Sequence, residues 1–230
     1  MQRIIEITLQ MPDGRKKVPI HPIVLQDDEY LTLVDCGFIG SLRLLEIELG
    51  KHGISIEQLT ALVLTHHDHD HMGAAAALKR ANPRIQIYSS LEESVYISAR
   101  EKPLRLVQAE ELQAQLPPQQ QAFGRMFCDM LRRVEPVTVD AHLTDSQETG
   151  WCGGCQVLLS AGHTPGHLSL YCKELDAVIV GDAFALEQNT PVLANPQFTL
   201  DVEMAKRSME KLLSLKARTY YCYHGGIYRP

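Results

Sequence analysis

The sequence predicts a mixed α/β protein in which helices cover sheets of short strands. Three observations lead to this prediction. Apolar runs of strand length recur in the first and last thirds of the chain, apolar residues recur at helical spacing between these runs, and turn residues separate the predicted strands from the predicted helices. The chain has 230 residues, of which 45% are hydrophobic and 22% charged. These fractions are typical of a globular domain and exclude collagen-like, disordered and coiled-coil chains. We expect one domain spanning residues 1–230.

The first third alternates strands with helices. Met11-Pro12-Asp13-Gly14 is a turn signal between the first two strands. Gly53 follows leucines at helical spacing and predicts the end of a helix. The predicted strands are Ile4–Leu9, Val18–Leu25, Tyr30–Val34, Leu59–Leu64 and Ile85–Tyr88, and the predicted helices are Ser41–His52, Gly73–Ala81 and Leu91–Ala99.

Residues 101–135 do not continue this alternation of strands and helices. Pro103 and the Pro117-Pro118 pair divide the segment, and phenylalanine, methionine and leucine then recur at helical spacing. Two interpretations stay open here. The segment is either a helical insertion that forms a lid over a pocket, or a helical hairpin packed on the core for stability.

The last third returns to strands. Asp201 is a plausible N-terminal cap for one long helix between the last two predicted strands. The predicted strands are Val137–Val139, Gln156–Ser160, Leu168–Cys172, Ala177–Val180 and Arg218–Tyr223, and the predicted helix is Asp201–Leu215.

Charge and targeting signals limit the classes of protein. A net charge of −6 argues against a nucleic-acid binder, and no apolar run is long enough for a transmembrane helix. Charged residues interrupt the apolar positions of residues 1–17, so a signal peptide is not expected. We therefore predict a cytoplasmic protein whose six cysteines are free thiols.

One pair of cysteines, Cys152 and Cys155, has the C-x-x-C spacing of redox and metal motifs. A structural zinc site would need a second ligand pair nearby, and a redox site is expected at a strand–helix junction. This pair instead precedes a strand and encloses two glycines, so we favour a simple turn.

Four of the ten histidines fall within residues 66–71, with two aspartates between them. A buried strand leads into this segment and an alanine-rich helix leaves it, so the side chains would stand on a rigid platform, as metal sites require. Histidine and carboxylate groups are common ligands of zinc, iron and manganese. The segment therefore predicts a metal site.

Three further polar groups also follow apolar strands. His163 lies in the Gly162–His167 turn, Asp182 follows Val178–Gly181, and His224 follows the last predicted strand. Each alone could be a turn residue, a helix cap or a surface residue. Because all three follow strands, they could converge with residues 66–71 at one sheet edge.

Together these motifs resemble the metallo-β-lactamase fold hydrolase superfamily, in a form like glyoxalase II or the lactonases. The T-H-x-H-x-D-H signature matches residues 65–71, except that Asp68 stands where a second histidine is usual. The G-H-T-x-G-H signature matches residues 162–167. The resemblance extends from Asp35 to His224. It implies a four-layer αββα sandwich, to which residues 101–135 would add the helical insertion.

The resemblance also implies a ligand set and its supporting groups. Asp182 would bridge two metal ions, and Asp70 would in addition be catalytic, by orienting the nucleophile or moving a proton. The ligands of one metal would be His66, Asp68, His163 and Asp182; those of the other would be Asp70, His71, Asp182 and His224; Thr65, Asp35 and His167 would support them. The implied cofactors are two divalent ions, zinc first. Manganese and iron are the alternatives, because the Asp68 carboxylate favours harder ions.

The implied activity is that of a dinuclear metal-dependent hydrolase, which cleaves a small ester, thioester or lactone with a metal-bridging hydroxide. Two enzymatic alternatives stay open: an acyl-homoserine lactonase, and a mononuclear iron oxidoreductase that resembles persulfide dioxygenases. A binding module on a decayed site fits less well, because every ligand position is filled. We expect a small-molecule substrate and neither nucleic acid nor membrane as partner, and the insertion could serve as a homodimer contact.

Overall fold

The computed structural model describes residues 2–12 and 17–230, so Asp13 and Gly14 of the predicted turn lie outside the described residues. One six-stranded sheet contains the N-terminal strands in the order β1-β4-β5-β6-β7-β8. The first three strands pair antiparallel, and β5 to β8 pair parallel. Its strands are β1 Arg3–Glu6, β4 Ile23–Gln26, β5 Leu31–Val34, β6 Ala61–Val63, β7 Gln86–Ser90 and β8 Ala141–Leu143; β2 Leu9–Pro12 and β3 Lys17–Ile20 pair separately.

A second six-stranded sheet contains the C-terminal strands in the order β16-β15-β12-β11-β10-β9. Its pairs are antiparallel except β12 with β15, which are parallel and are joined through helix α7. A parallel pair needs such a crossover, because a tight turn can join only antiparallel neighbours. Its strands are β9 Glu148–Thr149, β10 Cys155–Leu159, β11 Leu168–Cys172, β12 Ala177–Gly181, β15 Thr219–Cys222 and β16 Gly226–Tyr228; β13 Ala185–Glu187 and β14 Thr190–Val192 form a small ribbon.

The two sheets pack face to face, and helices cover their outer faces. Buried side chains from both sheets share one cluster; they include Leu25, Val34, Val63, Val157, Leu170 and Ile179. Helices α1 Leu42–Gly50 and α3 Ala75–Ala81 bury leucines against the first sheet, and α7 Val202–Ser214 buries Leu212 against the second. The predicted αββα sandwich is therefore confirmed.

The insertion folds as two helices that pack on each other, called here the helical pair. It comprises α5 Leu104–Gln115 and α6 Gln121–Arg132 and follows α4 Leu91–Ile97. A small apolar cluster of its own includes Leu106 and Leu131. The helical prediction is thus confirmed, and its function as a lid stays a prediction. Among the described residues, no helix has both the length and the apolar character needed to cross a membrane.

Three predicted strands differ from the structure. Val18–Leu25 is divided by His21 and Pro22 into β3 and β4, because proline has no N–H to donate to the ladder. Ile4–Leu9 likewise divides between β1 and β2. Val137–Val139 is not a strand: Val137 is anchored by its N–H to the Ile97 carbonyl at the end of α4, 3.1 Å away, and β8 begins only at residue 141.

The prediction of six free thiols is wrong for two cysteines. Cys155 on β10 and Cys172 on β11 lie directly opposite each other and form a disulfide. Cys152, the other half of the C-x-x-C motif, lies in a turn and contacts the Arg3 and Gln26 carbonyls. The turn interpretation of this motif fits the structure. Disulfides persist mainly in oxidising compartments, so the thiols no longer support the cytoplasmic prediction.

Candidate metal centre

All seven sequence-predicted ligands converge at one edge of the sandwich. The strand ends explain this, since β6, β10, β12 and β15 each deliver their polar side chains just beyond their last residue. Asp68 precedes the short helix α2 His69–Met72, which carries Asp70 and His71. The ligand atoms form three overlapping groups, each with its atoms within 4.8 Å of one another: His66, Asp68 and His163; His66, His71 and Asp182; Asp70, His71 and His224.

Three atoms of this cluster have unmet bonding capacity. The Nε2 atoms of His66 and His71 and the Oδ1 atom of Asp182 are buried, and none makes a hydrogen bond within the described residues. Buried polar atoms without partners are costly, and binding of an ion is one way in which such atoms are satisfied. These three residues also form one of the overlapping groups. The donor set of imidazoles and carboxylates therefore fits a divalent metal ion.

Asp182 lies between the groups. Its Oδ1 atom is 3.2 Å from Nε2 of His71 and 3.5 Å from Nε2 of His224, while its Oδ2 atom is 3.6 Å from Nε2 of His163. One oxygen thus faces each side of the cluster. This is the arrangement expected of a bridging carboxylate.

Asp35 and Thr65 orient two of the imidazoles, as expected of supporting groups. The Asp35 carboxylate accepts hydrogen bonds from the Thr65 N–H and hydroxyl at 2.9 and 2.8 Å, and it lies 2.7 Å from Nδ1 of His71. The Thr65 hydroxyl lies 3.0 Å from Nδ1 of His66. With both Nδ1 atoms engaged, the Nε2 atoms point into the cluster, which is how a carboxylate fixes the ligating nitrogen of histidine.

His167 orients Asp182 and is not placed to ligate. Its Nε2 atom accepts the Asp182 N–H at 2.9 Å, and its Nδ1 atom lies 2.9 Å from the Ser160 hydroxyl. Burial and the neighbouring imidazoles of His66 and His163 hold the pKa of His167 well below its usual range. The neutral ring can therefore keep the lone pair that this hydrogen bond requires.

His67, which lies between the proposed ligands His66 and Asp68, is buried. Its Nδ1 atom lies 2.5 Å from Oε2 of Glu93, and the same oxygen accepts the His67 N–H at 3.0 Å. The other oxygen of Glu93 accepts the Gly166 N–H at 2.8 Å. Glu93 therefore fastens the 65–71 loop to the 162–167 loop. No sequence pattern points to this residue, since an acidic group in the first turn of a helix is ordinary.

Two further residues near the ligands were missed by sequence reasoning. Arg105 on α5 places Nη2 2.5 Å from Oδ2 of Asp68. Tyr223 donates from its hydroxyl to the Asp70 carbonyl at 2.5 Å, and its ring centroid lies 3.8 Å from that of His71. Tyr223 precedes a predicted ligand and could have been suspected from that position. Arg105 stands far from every motif.

The charges of the cluster are balanced by protons on two histidines. Burial alone would lower the pKa of His71 and His224. The nearby carboxylates, Asp182 foremost, instead raise the pKa of His224 to about 10 and that of His71 well above its usual range. Conversely, these imidazoles hold the pKa of Asp182 well below its usual range, against the effect of burial. Without metal, both histidines are therefore protonated near neutral pH.

Metal binding is consequently expected to release protons. A ligating Nε2 must lose its proton, so the affinity for zinc should strengthen as the pH rises from 6.5 toward the raised pKa of His224. We expect a gain of about tenfold per pH unit for each proton released. Calorimetric titrations in buffers of different ionisation enthalpy measure the number released. An affinity that does not change over this range would contradict the assignment of His71 and His224 as protonated ligands.

Comparisons with known proteins agree with this geometry. The sequence profile of the metallo-beta-lactamase superfamily matches residues 16–224. The probable metallo-hydrolase YflN of Bacillus subtilis (strain 168) is 28% identical over 206 residues, which are 84% of this chain and 74% of YflN.

Solved structures share the fold. The metallo-beta-lactamase family protein TTHA1429 from Thermus thermophilus has a TM-score of 0.77 at 23% identity, over 98% of this chain and 74% of that one. TTHA1623, solved in a di-iron-bound form, has a TM-score of 0.67 at 21% identity, over 98% and 94% of the two chains. Together with the buried cluster of ligand groups, the profile match shows that this chain belongs to the metallo-β-lactamase superfamily, as a metal-dependent hydrolase.

Proposed function

We propose that this chain is a dinuclear hydrolase that cleaves a small ester, thioester or lactone. The position of Asp182 carries the proposal, because its two oxygens face the two sides of one ligand cluster. Seven ligand groups are enough for two ions that share one carboxylate. The di-iron form of TTHA1623 supports the proposal by analogy, as a relative in fold that holds two metal ions.

The two proposed positions divide the cluster. Position one comprises His66, Asp68, His163 and Asp182, and position two comprises Asp70, His71, Asp182 and His224. Zinc is the proposed metal at both, because the donors are imidazoles and carboxylates without thiolates; manganese and iron accept the same donors. Asp35, Thr65 and His167 orient these ligands through the contacts described above.

Bound divalent ions would supply a water of lowered pKa and would polarise the carbonyl under attack. The chain itself supplies orientation and proton transfer. Asp70 is partly exposed, with 15% of its side chain accessible, so it can reach both the cluster and an entering water. The Tyr223 hydroxyl holds the Asp70 backbone, and Oδ2 of Asp70 lies 3.3 Å from Nε2 of His224. We assign Asp70 to orienting the nucleophile and accepting its proton.

Aromatic side chains beside the cluster favour a substrate with an apolar part. The ring of His69 contacts those of Phe38 and Phe127, at 5.5 and 5.8 Å between centroids, and Phe127 contacts Phe198. Phe127 belongs to the helical pair, so this segment contributes directly to the surroundings of the proposed metals. An apolar acyl group would find favourable contacts there.

Elemental analysis of the purified protein, combined with a substrate panel, tests the proposal. We expect two divalent ions per chain and metal-dependent hydrolysis of at least one aryl ester, thioester or lactone. Turnover confined to acyl-homoserine lactones would identify the lactonase activity. One iron per chain with oxygen consumption on a persulfide would replace the proposal by the oxidoreductase, and a protein that takes up no metal after reconstitution would refute both enzymes.

A further inference from the structure

Arg105 is a buried cation beside one half of the proposed metal centre. Only 4% of this residue is exposed, although it belongs to the helical pair and not to the sandwich. Its Nε atom donates to the Asp68 carboxylate at 3.0 Å, and its Nη2 atom lies 2.5 Å from Oδ2 of Asp68. The guanidinium therefore engages a ligand group of position one directly.

The remaining donors of Arg105 are also used within the chain. Nη1 donates to Oε1 of Gln108 and to the Phe198 carbonyl at 2.6 and 2.5 Å. Nη2 also lies 3.3 Å from Nε2 of His163. A guanidinium has five N–H donors, so these contacts leave none for a substrate. The role of Arg105 must lie in what it does to Asp68 and His163.

The two proposed positions are therefore unequal in charge. In position one, Oδ2 of Asp68 and Nε2 of His163 both face a fixed guanidinium. Within the described part of the chain, the ion pairs of Asp70, His71 and His224 in position two join histidines to carboxylates, with neither lysine nor arginine among them. Arginine does not lose its proton in proteins, so the positive charge beside position one is permanent.

This asymmetry also changes the interpretation of Asp68. By itself, a carboxylate in place of histidine would add negative charge to position one and favour harder ions. Because Arg105 neutralises that carboxylate, the Asp68–Arg105 pair has the same net charge as a neutral histidine. The pair also has a contact that histidine would lack, since hydrogen bonds from Arg105 join Asp68 to the first turn of α5.

We propose, on the basis of the proposed function, that Arg105 sets the metal occupancy of the centre. Position two fills first, and position one binds its ion more weakly for as long as the guanidinium stays on Asp68 and His163. Arg105 is thus a positioning residue, which couples the binding of the second metal ion to the packing of the helical pair against the site.

Calorimetric titration of the metal-free protein with zinc, checked by elemental analysis, tests this inference. We expect two binding steps in the unaltered protein, the second at least about tenfold weaker, because a like charge lies close to that position. Arg105→Gln should increase the zinc affinity of the second step by about tenfold or more. Arg105→Lys, which keeps the charge, should retain most of the difference in affinity between the two steps. Arg132→Gln, which removes an exposed arginine of the same helical pair, is the matched control and should leave both steps unchanged.

Two ligand variants assign the steps to positions. His163→Ala should remove the weak step and retain the strong one, and His224→Ala should do the reverse. Equal affinities of the two steps in the unaltered protein would overturn the inference without any variant and would leave the proposed dinuclear hydrolase intact. An Arg105→Gln protein that is folded by circular dichroism but binds like the unaltered one, or that loses its second ion, would also overturn it. Absence of any zinc binding would refute the proposed function itself.

Discussion

Replacement of Asp182 by asparagine is expected to lower kcat/KM on any substrate found by at least about a thousandfold, which corresponds to roughly 4 kcal/mol of transition-state stabilisation. Asp182 faces His71 and His224 with one oxygen and His163 with the other. Asparagine has a similar shape but lacks the negative charge and offers only one oxygen. The variant should therefore bind at least one fewer metal ion per chain, and the loss of activity should follow from that.

The matched control lies at the other end of the same strand. Asp176 immediately precedes β12, accepts a hydrogen bond from the Arg218 N–H, and adopts a left-handed backbone conformation that asparagine tolerates well. Asp176→Asn should keep its metal content and its kcat/KM within about threefold of the unaltered protein, because it lies outside the ligand cluster. Elemental analysis and steady-state kinetics on the two variants give the comparison. Full activity of Asp182→Asn with its metal lost would refute catalysis at this centre.

The positions of the proposed ligands could be predicted from sequence because each follows a strongly apolar strand. His66, His163, Asp182 and His224 all lie just beyond such runs, and strand ends in the two sheets meet at one edge. Elements whose apolar residues recur with a clear period were also predicted well. The observed β11 matches its predicted bounds, and α7 matches to within one residue at each end. Breaks inside apolar runs, such as the one at Pro22, depend on tertiary pairing and were missed.

The groups that hold the ligands in place could not be predicted in the same way. Arg105 and Glu93 reach the cluster from helices whose distance along the chain from their partners follows no fixed spacing. The disulfide partner of Cys155 depends on the register of β10 against β11, which sequence periodicity leaves undetermined. Short-range patterns thus indicate which residues could ligate, whereas the charge partners depend on how the helical pair and α4 pack.

The effect of a Glu93 substitution on the free energy of unfolding provides the clearest test of these charge partners. Its carboxylate is fully buried and accepts three hydrogen bonds, from the His67 ring, the His67 N–H and the Gly166 N–H. Glu93→Gln replaces one accepting oxygen by a donor that must face one of these N–H groups. Removing one partner of a buried ion pair typically costs about 3–5 kcal/mol. For a chain of this size, that corresponds to a fall in Tm of roughly 10 °C.

The pH dependence of this loss identifies the ion pair as its cause. Burial alone would raise the pKa of Glu93, but His67 holds it below its ordinary value of 4.5, so its contribution to stability is present above pH 4.5 and disappears as the pH falls through the lowered pKa. Burial alone would lower the pKa of His67, but Glu93 raises it above 6.5, so this contribution is present below pH 6.5 and disappears as the pH rises through the raised pKa.

The difference in unfolding free energy between the unaltered protein and Glu93→Gln should therefore be largest between pH 4.5 and 6.5. Denaturant titrations at equal metal content measure it. Glu92→Gln, on the exposed neighbour in the same turn of α4, is the matched control and should change stability by less than about 0.5 kcal/mol. A loss of unfolding free energy in Glu93→Gln that is the same from acid to alkaline pH would instead indicate lost packing. It would show that the buried ion pair does not hold the two ligand loops together.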